Sequence, residues 1–490
     1  MGYLLTIAGH DPVHGAGITA DLAAWAAMGL DGASVITALT VQNSSGLRHV
    51  EPVAAKLVRE ALQAVLHDGE PMAIKVGMTG SAAVLQEVTA FVAARRCPVV
   101  VDPVLAASNG QAAHQEDAGV FRAAVRDLLR HAHVITPNLP EAKALLNDAE
   151  VSLPALRALC REAVVLKGGH AGGGLSVDWV TDGQRTALLS VPRLPVPAHG
   201  TGCVFSAVLA GMLASGWDVF DAAAEAKVRV TAGIAQARQH GLGRPHTHAA
   251  AQADGAHLPA LHWLAGETVP MPPAPGDPFA PMTGPMGFYP VVPDAGWVER
   301  LLGWGVRTVQ LRVKAGSLDD TALRAEVARA VAAGRAVQGA QVIINDHWRL
   351  AIAAGAFGVH LGQEDLQTVD LGALRRAGLR LGVSSHTPAE MAQAHAVSPS
   401  YVAIGPVYPT TLKAMRYDPV GLVQLAEWTR RYQPMYPVVA IGGIDLARAP
   451  GVWACGVDSV AVVSAVTQAA DPQAAVRAFL GQVPVAVGGC

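Results

Sequence analysis

Two glycines bracket a threonine in the run His199-Gly200-Thr201-Gly202-Cys203, and an apolar stretch from Val204 to Ala210 follows at once. Glycine lets backbone N–H groups converge without a Cβ in the way. A helix start adds unpaired donors and the positive end of the dipole. Together, Gly200 to Cys203 suit a cradle for a phosphoryl group in transfer. Cys203 falls in the first turn, where a lowered thiol pKa and a thiolate base are expected. The same residues also suit a plain glycine-rich turn before a core helix, with an inert thiol. Upstream, Asp102 and Glu141 follow short apolar runs, Asn138 sits beside Glu141, and Lys167 ends a run before Gly168-Gly169. Acids at strand ends can hold Mg²⁺ against ATP phosphates, and a lysine there can touch phosphate. Asn138 equally fits a helix N-cap.

The second half carries its own set. Arg312 and Lys314 are two apart on one extended run, so they point the same way and could grip a pyrophosphate. Asp346 and Asp365 follow successive runs and could share one Mg²⁺. Lys413 adds a cation on a later loop. Gly442, Gly443, Val463 and Ser464 follow the last two runs, where barrels of this kind bind phosphate. A lone strand-end Asp caps about as often as it ligates, and a lone loop Lys is usually solvated. Two acids and three bases at one mouth are harder to explain that way.

Elements must hold these groups in place. Residues 1–240 alternate β-branched runs with Ala-rich stretches. Strands are predicted at Tyr3–Ala8, Ser34–Val41, Ala73–Val76, Val99–Val101, Val134–Thr136 and Val164–Leu166. Their continuous apolar character predicts a parallel sheet with helices on both faces. From Leu242 to Pro285, Pro, Ala, Gly and His dominate, which predicts a semi-extended linker with a short helix near Leu258–Leu264. Eight strand-then-helix units follow. Their strands are predicted at Tyr289–Val292, Thr308–Val313, Gln341–Asn345, Gly358–Leu361, Arg380–Ser384, Tyr401–Ile404, Val438–Ile441 and Ser459–Val463. That count predicts a (β/α)₈ barrel. The expected division is 1–243, a linker over 244–285, and 286–490.

In order and spacing, Thr6 to Pro12, Gly15 to Leu22, Ser34 to Asn43, Ile74 to Met78, Val101 to Val104, Thr136 to Ala142, Lys167 to His170 and the cradle resemble the hydroxymethylpyrimidine/phosphomethylpyrimidine kinases. The likeness covers roughly residues 3–240 and implies a ribokinase-like α/β/α sandwich. It implies ATP-dependent phosphorylation of the hydroxymethylpyrimidine and then of its phosphate. It places Gly9, Asp21, Gln42 and Met78 around the pyrimidine, and Asp102, Asn138, Glu141 and Lys167 near ATP and Mg²⁺. It also implies a homo-oligomer formed through the kinase domain. His10 departs from the small hydroxyl residue of many relatives. Gly15-Ala16-Gly17-Ile18-Thr19-Ala20 also fits a dinucleotide pattern, but no acid follows at Thr37 to Thr40, which argues against it.

Across roughly 286–482, Tyr289 to Asp294, Val309 to Lys314, Ile344 to Asp346, Gly358 to Leu366, Gly382 to His386, Gly405 to Lys413, Ala440 to Ile444 and Ala461 to Ala465 resemble thiamine-phosphate synthase. That likeness implies a TIM barrel coupling pyrimidine diphosphate to thiazole phosphate. It implies Gln310, Arg312, Lys314, Asn345, Ser384 and Lys413 on the diphosphate, with Lys413 also catalytic. Thr410, Thr411, Gly442, Gly443, Val463 and Ser464 would meet the thiazole phosphate. Leu412 departs from the usual Thr, so one hydroxyl contact to substrate is either missing or supplied by Thr411. The alternatives are a ligand-sensing domain without turnover, or a pyridoxal kinase joined to a thiazole tautomerase.

Composition narrows the classes. The chain has 490 residues, 51% hydrophobic and 15% charged, with net charge −3. That length exceeds one ordinary core, and no basic block points to nucleic acid. Five scattered cysteines without close pairs fit a reducing compartment. With no apolar run of membrane length and no basic leader, a cytoplasmic enzyme without membrane partners is expected.

Overall fold

The computed structural model of the chain describes residues 2–106, 110–148, 150–169, 173–239, 242–266, 276–314, 316–410 and 418–484. They form two compact units, Met1–Ala274 and Pro275–Cys490. No helix among the described residues is long and apolar enough to cross a membrane.

The first unit is built on a ten-stranded sheet: β1 (Leu4–His10), β2 (Gly32–Asn43), β3 (Gly46–Pro52), β4 (Ala73–Val76), β5 (Val99–Val101), β6 (Val134–Ile135), β7 (Ala163–Lys167), β8 (Leu175–Thr181), β9 (Thr186–Pro192) and β10 (Ala260–Leu264). Their order is β10-β9-β8-β7-β6-β5-β4-β1-β2-β3. The centre is parallel, as predicted, and helices such as Ala82–Ala93 and Ala118–Leu129 cover it with buried Val and Leu. Both flanks are antiparallel, which corrects the predicted all-parallel sheet. The cause is connection length. β8 and β9 pair directly across Asp182-Gly183-Gln184-Arg185, with Gly183 at φ 87°, and so short a loop can only reverse the chain. Helix Thr201–Ala214 is buried without interruption from Val204 to Met212, so it lies inside rather than on the surface. Gly17–Ala27 and Val219–Ala235 pack against it, and Trp25 Nε1 donates to Ala207 O at 2.8 Å.

The segment predicted as a linker is structured at both ends. The helix predicted near Leu258–Leu264 is instead a 3₁₀ turn, Gly255–His257, followed by β10 on the edge of β9. A five-residue apolar run has no helical period long enough to tell the two apart, and an open sheet edge takes up such a run. Residues 267–275 lie outside the described residues. Beyond them, Ser400 Oγ donates to Ala280 O (2.6 Å), Arg375 Nε to Asp277 O (2.7 Å) and Thr283 N to Gln341 Oε1 (3.2 Å). Residues 277–286 are thereby bolted across the N-terminal end of the second unit's strands.

That unit is a closed parallel barrel of β11 (Gly287–Val292), β12 (Thr308–Leu311), β13 (Gln341–Asn345), β14 (Gly358–Leu361), β15 (Arg380–Ser385), β16 (Tyr401–Ile404), β17 (Val438–Ile441) and β18 (Ser459–Val462), in sequence order. Each lies within two residues of its predicted bounds. Buried Met286, Tyr289, Ile343, Tyr401, Val439 and Ala461 fill its lower interior. The upper ends of the strands are left to carry the polar groups.

Candidate functional site

The first unit holds a cavity of about 830 Å³ over the C-terminal ends of its parallel strands. Gly9, Gln42, Met78, Asp102, Asn138, Glu141, Lys167, Gly200, Gly202 and Cys203 all line it. Asp21 does not. It is fully buried behind the wall, accepting from Thr6 Oγ1 at 2.6 Å and from Lys75 Nζ at 2.9 and 3.0 Å. Fully buried and absent from the lining, Asp21 does not make the direct pyrimidine contact expected of it; Lys75 is the member of the pair that reaches the cavity.

The cradle forms because its glycines permit a close approach. Gly200 sits at φ 82°, and a Cβ there would lie 1.7 Å from Gly15 O. The loop after β1 therefore rests on the start of helix Thr201–Ala214. Below it, Asp102 Oδ1 accepts from Lys167 Nζ (2.8 Å) and Thr136 Oγ1 (3.2 Å), and Oδ2 from Ser206 Oγ (3.4 Å). Burial alone would raise the Asp102 carboxyl; Lys167 and Lys75 outweigh it and hold it below the carboxylate range. Glu141 differs. Burial pushes it up to about 7, with Lys167 opposing and Asp102 adding to the rise. Its Oε2 accepts from Asn138 N at 2.8 Å while Asn138 Oδ1 accepts from Glu141 N at 2.9 Å. This is a capping box, so the cap read as an alternative for Asn138 is present, on the cavity wall.

The surroundings of Cys203 do not favour the expected thiolate. Burial pushes its thiol above the usual range; Lys75 opposes this, and Asp102 and Asp21 reinforce it. Two residues that carried no expected role also face the cavity, Asp11 and His199. Burial would raise Asp11, but His199 and the amides of Val13 and Gly15 hold it below its ordinary value. The signal for both was adjacency: His199 precedes the cradle and Asp11 opens the loop that rests on it.

In the barrel, the expected residues cluster at the C-terminal strand ends. Asn345 is buried at the end of β13, and Asp346 follows at φ 61°, a left-handed conformation Asp tolerates better than most. Burial and Asp365 both raise the Asp346 carboxyl, with Arg312 opposing. Two acids and an arginine therefore share one region, with Asp365 disfavouring the charge on Asp346. Asp365 Oδ2 accepts from Gly362 N at 2.9 Å. Lys314 is exposed. Gln310 is buried, and its Nε2 donates to Tyr289 Oη at 2.9 Å. That bond starts a buried chain through Tyr401 Oη (2.8 Å) and His360 Nδ1 (2.8 Å) to Ser384 Oγ on His360 Nε2 (2.8 Å). Burial, helped by Arg312 and His386, pushes His360 down to about 4, so it stays neutral. Gly442 (φ 102°) and Gly443 (φ 66°) leave no room for a Cβ, which would lie 2.6 Å from Pro406 or from Pro409 O. Val463 and Ser464 begin the short helix after β18, and Thr410 is half-buried. Thr411, Leu412 and Lys413 lie outside the described residues. Among the described residues, no group of three or more His, Cys, Asp or Glu side chains is placed to hold a metal.

Comparison with known proteins fits this division. Residues 11–248 match the family model for phosphomethylpyrimidine kinase, and residues 289–466 that for thiamine monophosphate synthase. A thiamine-phosphate synthase of Pectobacterium atrosepticum is 50% identical over 206 residues, 42% of this chain and 95% of that one. The chain belongs to the thiamine-phosphate synthase family. A synthase of Neisseria meningitidis is 54% identical over 203 residues, 41% of this chain and 96% of its own. A solved phosphomethylpyrimidine kinase from Clostridium difficile 630 is 30% identical, covering 46% of this chain and 97% of that one, with a TM-score of 0.40. The chain is thus a bifunctional enzyme of thiamine biosynthesis, a kinase domain followed by a synthase domain.

Proposed function

We propose that the kinase domain phosphorylates 4-amino-5-hydroxymethyl-2-methylpyrimidine and then its phosphate from ATP. The synthase domain then joins the diphosphate to thiazole phosphate and releases pyrophosphate. The observation that carries the first half is the cradle from Gly200 to Cys203 on a cavity wall shared with Asp102, Glu141 and Lys167. Its backbone donors stabilise the phosphoryl group as it moves. Gln42, Gly9 and Met78 enclose the pyrimidine. In the barrel, Arg312 and Lys314 hold the diphosphate, and the glycine pair 442–443 with Val463 and Ser464 receives the thiazole phosphate. Ser384, fixed by His360, faces the same mouth. Lys413 and Thr411 remain assigned by resemblance.

Asp346 and Asp365 suit a divalent cation, because Asp365 adds to the cost of ionising Asp346, with Arg312, His347 and Asn345 opposing. Mg²⁺ bound there would neutralise charge on the leaving pyrophosphate. Asp102 and Glu141 are the matching pair on the kinase side. The kinase domain is further proposed to self-associate, since β2 leaves Leu39 and Val41 52% and 57% exposed. The cytoplasm is the proposed compartment. Incubating the chain with ATP, Mg²⁺, the hydroxymethylpyrimidine and thiazole phosphate should yield thiamine phosphate. Absence of product when each domain's own substrates are supplied in turn would reject the reading for that domain.

A further inference from the structure

The lysine at the cradle is held from behind. Lys167 Nζ lies beside Gly202, where an added Cβ would stand 3.0 Å from it. Lys167 is the last residue of β7, and its Nζ donates to Asp102 Oδ1 at 2.8 Å. On a flexible four-carbon stem, the ammonium is placed by its backbone and its partner. Lys167 N donates to Pro137 O at 2.8 Å, which fixes one side of the residue. On the other side, Gly168 N donates to Asp178 Oδ1 at 3.0 Å.

Asp178 stands opposite Lys167 on β8. Its Oδ2 accepts from Lys227 Nζ at 2.7 Å, and Lys227 also donates to Ser176 Oγ at 2.9 Å. Asp178 and Lys227 are both buried, and both line the kinase cavity. An apolar pair of the same volume is often as stable as a buried ion pair, so stability alone does not account for these two residues. What the pair does locally is hold one peptide N–H. A Cβ on Gly168 would lie 2.1 Å from Val177 O, so that peptide is pressed flat against β8. Arg193 closes the same turn from its far end, donating to Gly169 O (2.6 Å), Gly173 O (3.1 Å) and Leu175 O (3.1 Å).

We infer that Asp178 and Lys227 are positioning residues for phosphoryl transfer: through the Gly168 amide they fix the end of β7, and so hold Lys167 Nζ at the cradle to meet the phosphates of ATP. Lys227 neutralises the carboxylate, which lets a buried acid serve as the anchor beside an anionic substrate. This rests on the ATP contact of Lys167 proposed above and adds what sets its position.

The test is a double-mutant cycle in the full chain, read as kcat/KM for ATP, with synthase turnover and the thermal melt followed in the same protein. Asp178→Leu together with Lys227→Met removes the anchor and strands no charge. This double variant should fold and keep its synthase rate. Its kcat/KM for ATP should drop about tenfold while KM for the pyrimidine stays within about twofold. Asp178→Asn keeps an oxygen for Gly168 N and should stay within about threefold of the parent. Lys167→Ala should itself lower kcat/KM for ATP, and adding the double variant to it should cost less than about twofold more. If the double variant does not fold, Asp178→Ala takes its place in the cycle. Losses that multiply independently overturn the inference, because the anchor would then act elsewhere than through Lys167. So does a folded double variant that uses ATP like the parent, or an equal rise in KM for ATP and for the pyrimidine, the mark of a distorted cavity. A fall in Asp178→Asn as deep as in the double variant also overturns it. Parental ATP use by Lys167→Ala overturns the ATP contact and the inference together, with the rest of the kinase reading intact. A parent chain that phosphorylates no pyrimidine overturns that reading as well.

Discussion

The kinase cavity and the barrel mouth both gather charge, and they leave it in opposite states. In the cavity the charges are matched inside the protein: Lys167 on Asp102, Lys75 on Asp21. At the mouth, Asp365 raises the cost of ionising Asp346, with Arg312 and His347 opposing. A self-matched site is part of its own fold, so its residues should report on stability. A site that holds like charges together should report on ligands. A rigid barrel can carry such frustration because its strands close on themselves; the cavity, made of loops on an open sheet, is cross-linked by its ion pairs.

The variant that strains this contrast hardest is Asp346→Asn. It should cut synthase turnover by about 10³-fold, the order of losing several kcal/mol of leaving-group stabilisation. Both kinase steps and the thermal melt should hold. Near-normal synthase rates at ordinary Mg²⁺ would mean the acids are not a cation site.

The mirror experiment removes one half of a buried pair. Lys75 and Asp21 are both fully buried, so Lys75→Met strands a carboxylate and should destabilise the first unit by about 3–5 kcal/mol. Adding Asp21→Leu should recover much of that loss. Urea unfolding of the two variants side by side decides; equal stability of single and double variants would show the pair is not coupled.

Acid should separate the units again. His360 and His395 are both pushed down to about 4 by burial, against an ordinary 6.5. Between those values the unfolded chain binds protons that the native barrel refuses. Their contribution to stability is full above pH 6.5 and is lost as pH falls toward 4. It amounts to on the order of 3 kcal/mol for each. Calorimetry of the barrel transition from pH 7 to 4.5 should show the decline, and His395→Gln should flatten part of it.

The smallest effect is expected at Cys203. Held as a thiol, it should act through the shape of the cradle rather than as a base. Cys203→Ala should then slow both phosphorylations alike and by less than about tenfold, short of the roughly 10²–10⁴-fold of a true base. A selective loss in the first step, seen in single-turnover assays, would restore the base.

Legibility in the sequence also differs between the two regions. The barrel strands are readable because each is a short apolar run repeated with its helix, and repetition compensates for weak local signals. The first sheet reads well at its parallel centre and poorly at its flanks. β3 (Gly46–Pro52) is an edge strand half made of Arg48, His49 and Glu51, so no apolar run marks it. β8 and β9 had a usable sign in Asp182-Gly183, a reversal signal between two alternating runs. Among site residues, charged groups on strand ends were visible, because that position in an α/β fold faces ligand. What sequence could not give was pairing. Asp21 reads like its neighbours in the motif, yet it is occupied by Lys75 and Thr6; Gln310 reads like a ligand contact, yet one of its N–H groups is held by Tyr289. His199 and Asp11 meet across 188 positions of chain, which no local pattern encodes.

The left-handed backbone at Asp346 (φ 61°) has a consequence for how this enzyme could decay. Glycine, asparagine and aspartate sit more easily than most residues in that conformation. Of these three, aspartate alone carries charge. Most changes at the position are penalised twice, in folding and in function, and are removed early. The changes that survive in the cell are those that keep the loop and lose the carboxylate. A lineage drifting at this codon would therefore pass through intact, abundant protein whose synthase is silent and whose kinase still works, rather than through misfolded protein, and its loss would show in thiamine demand long before it showed in expression.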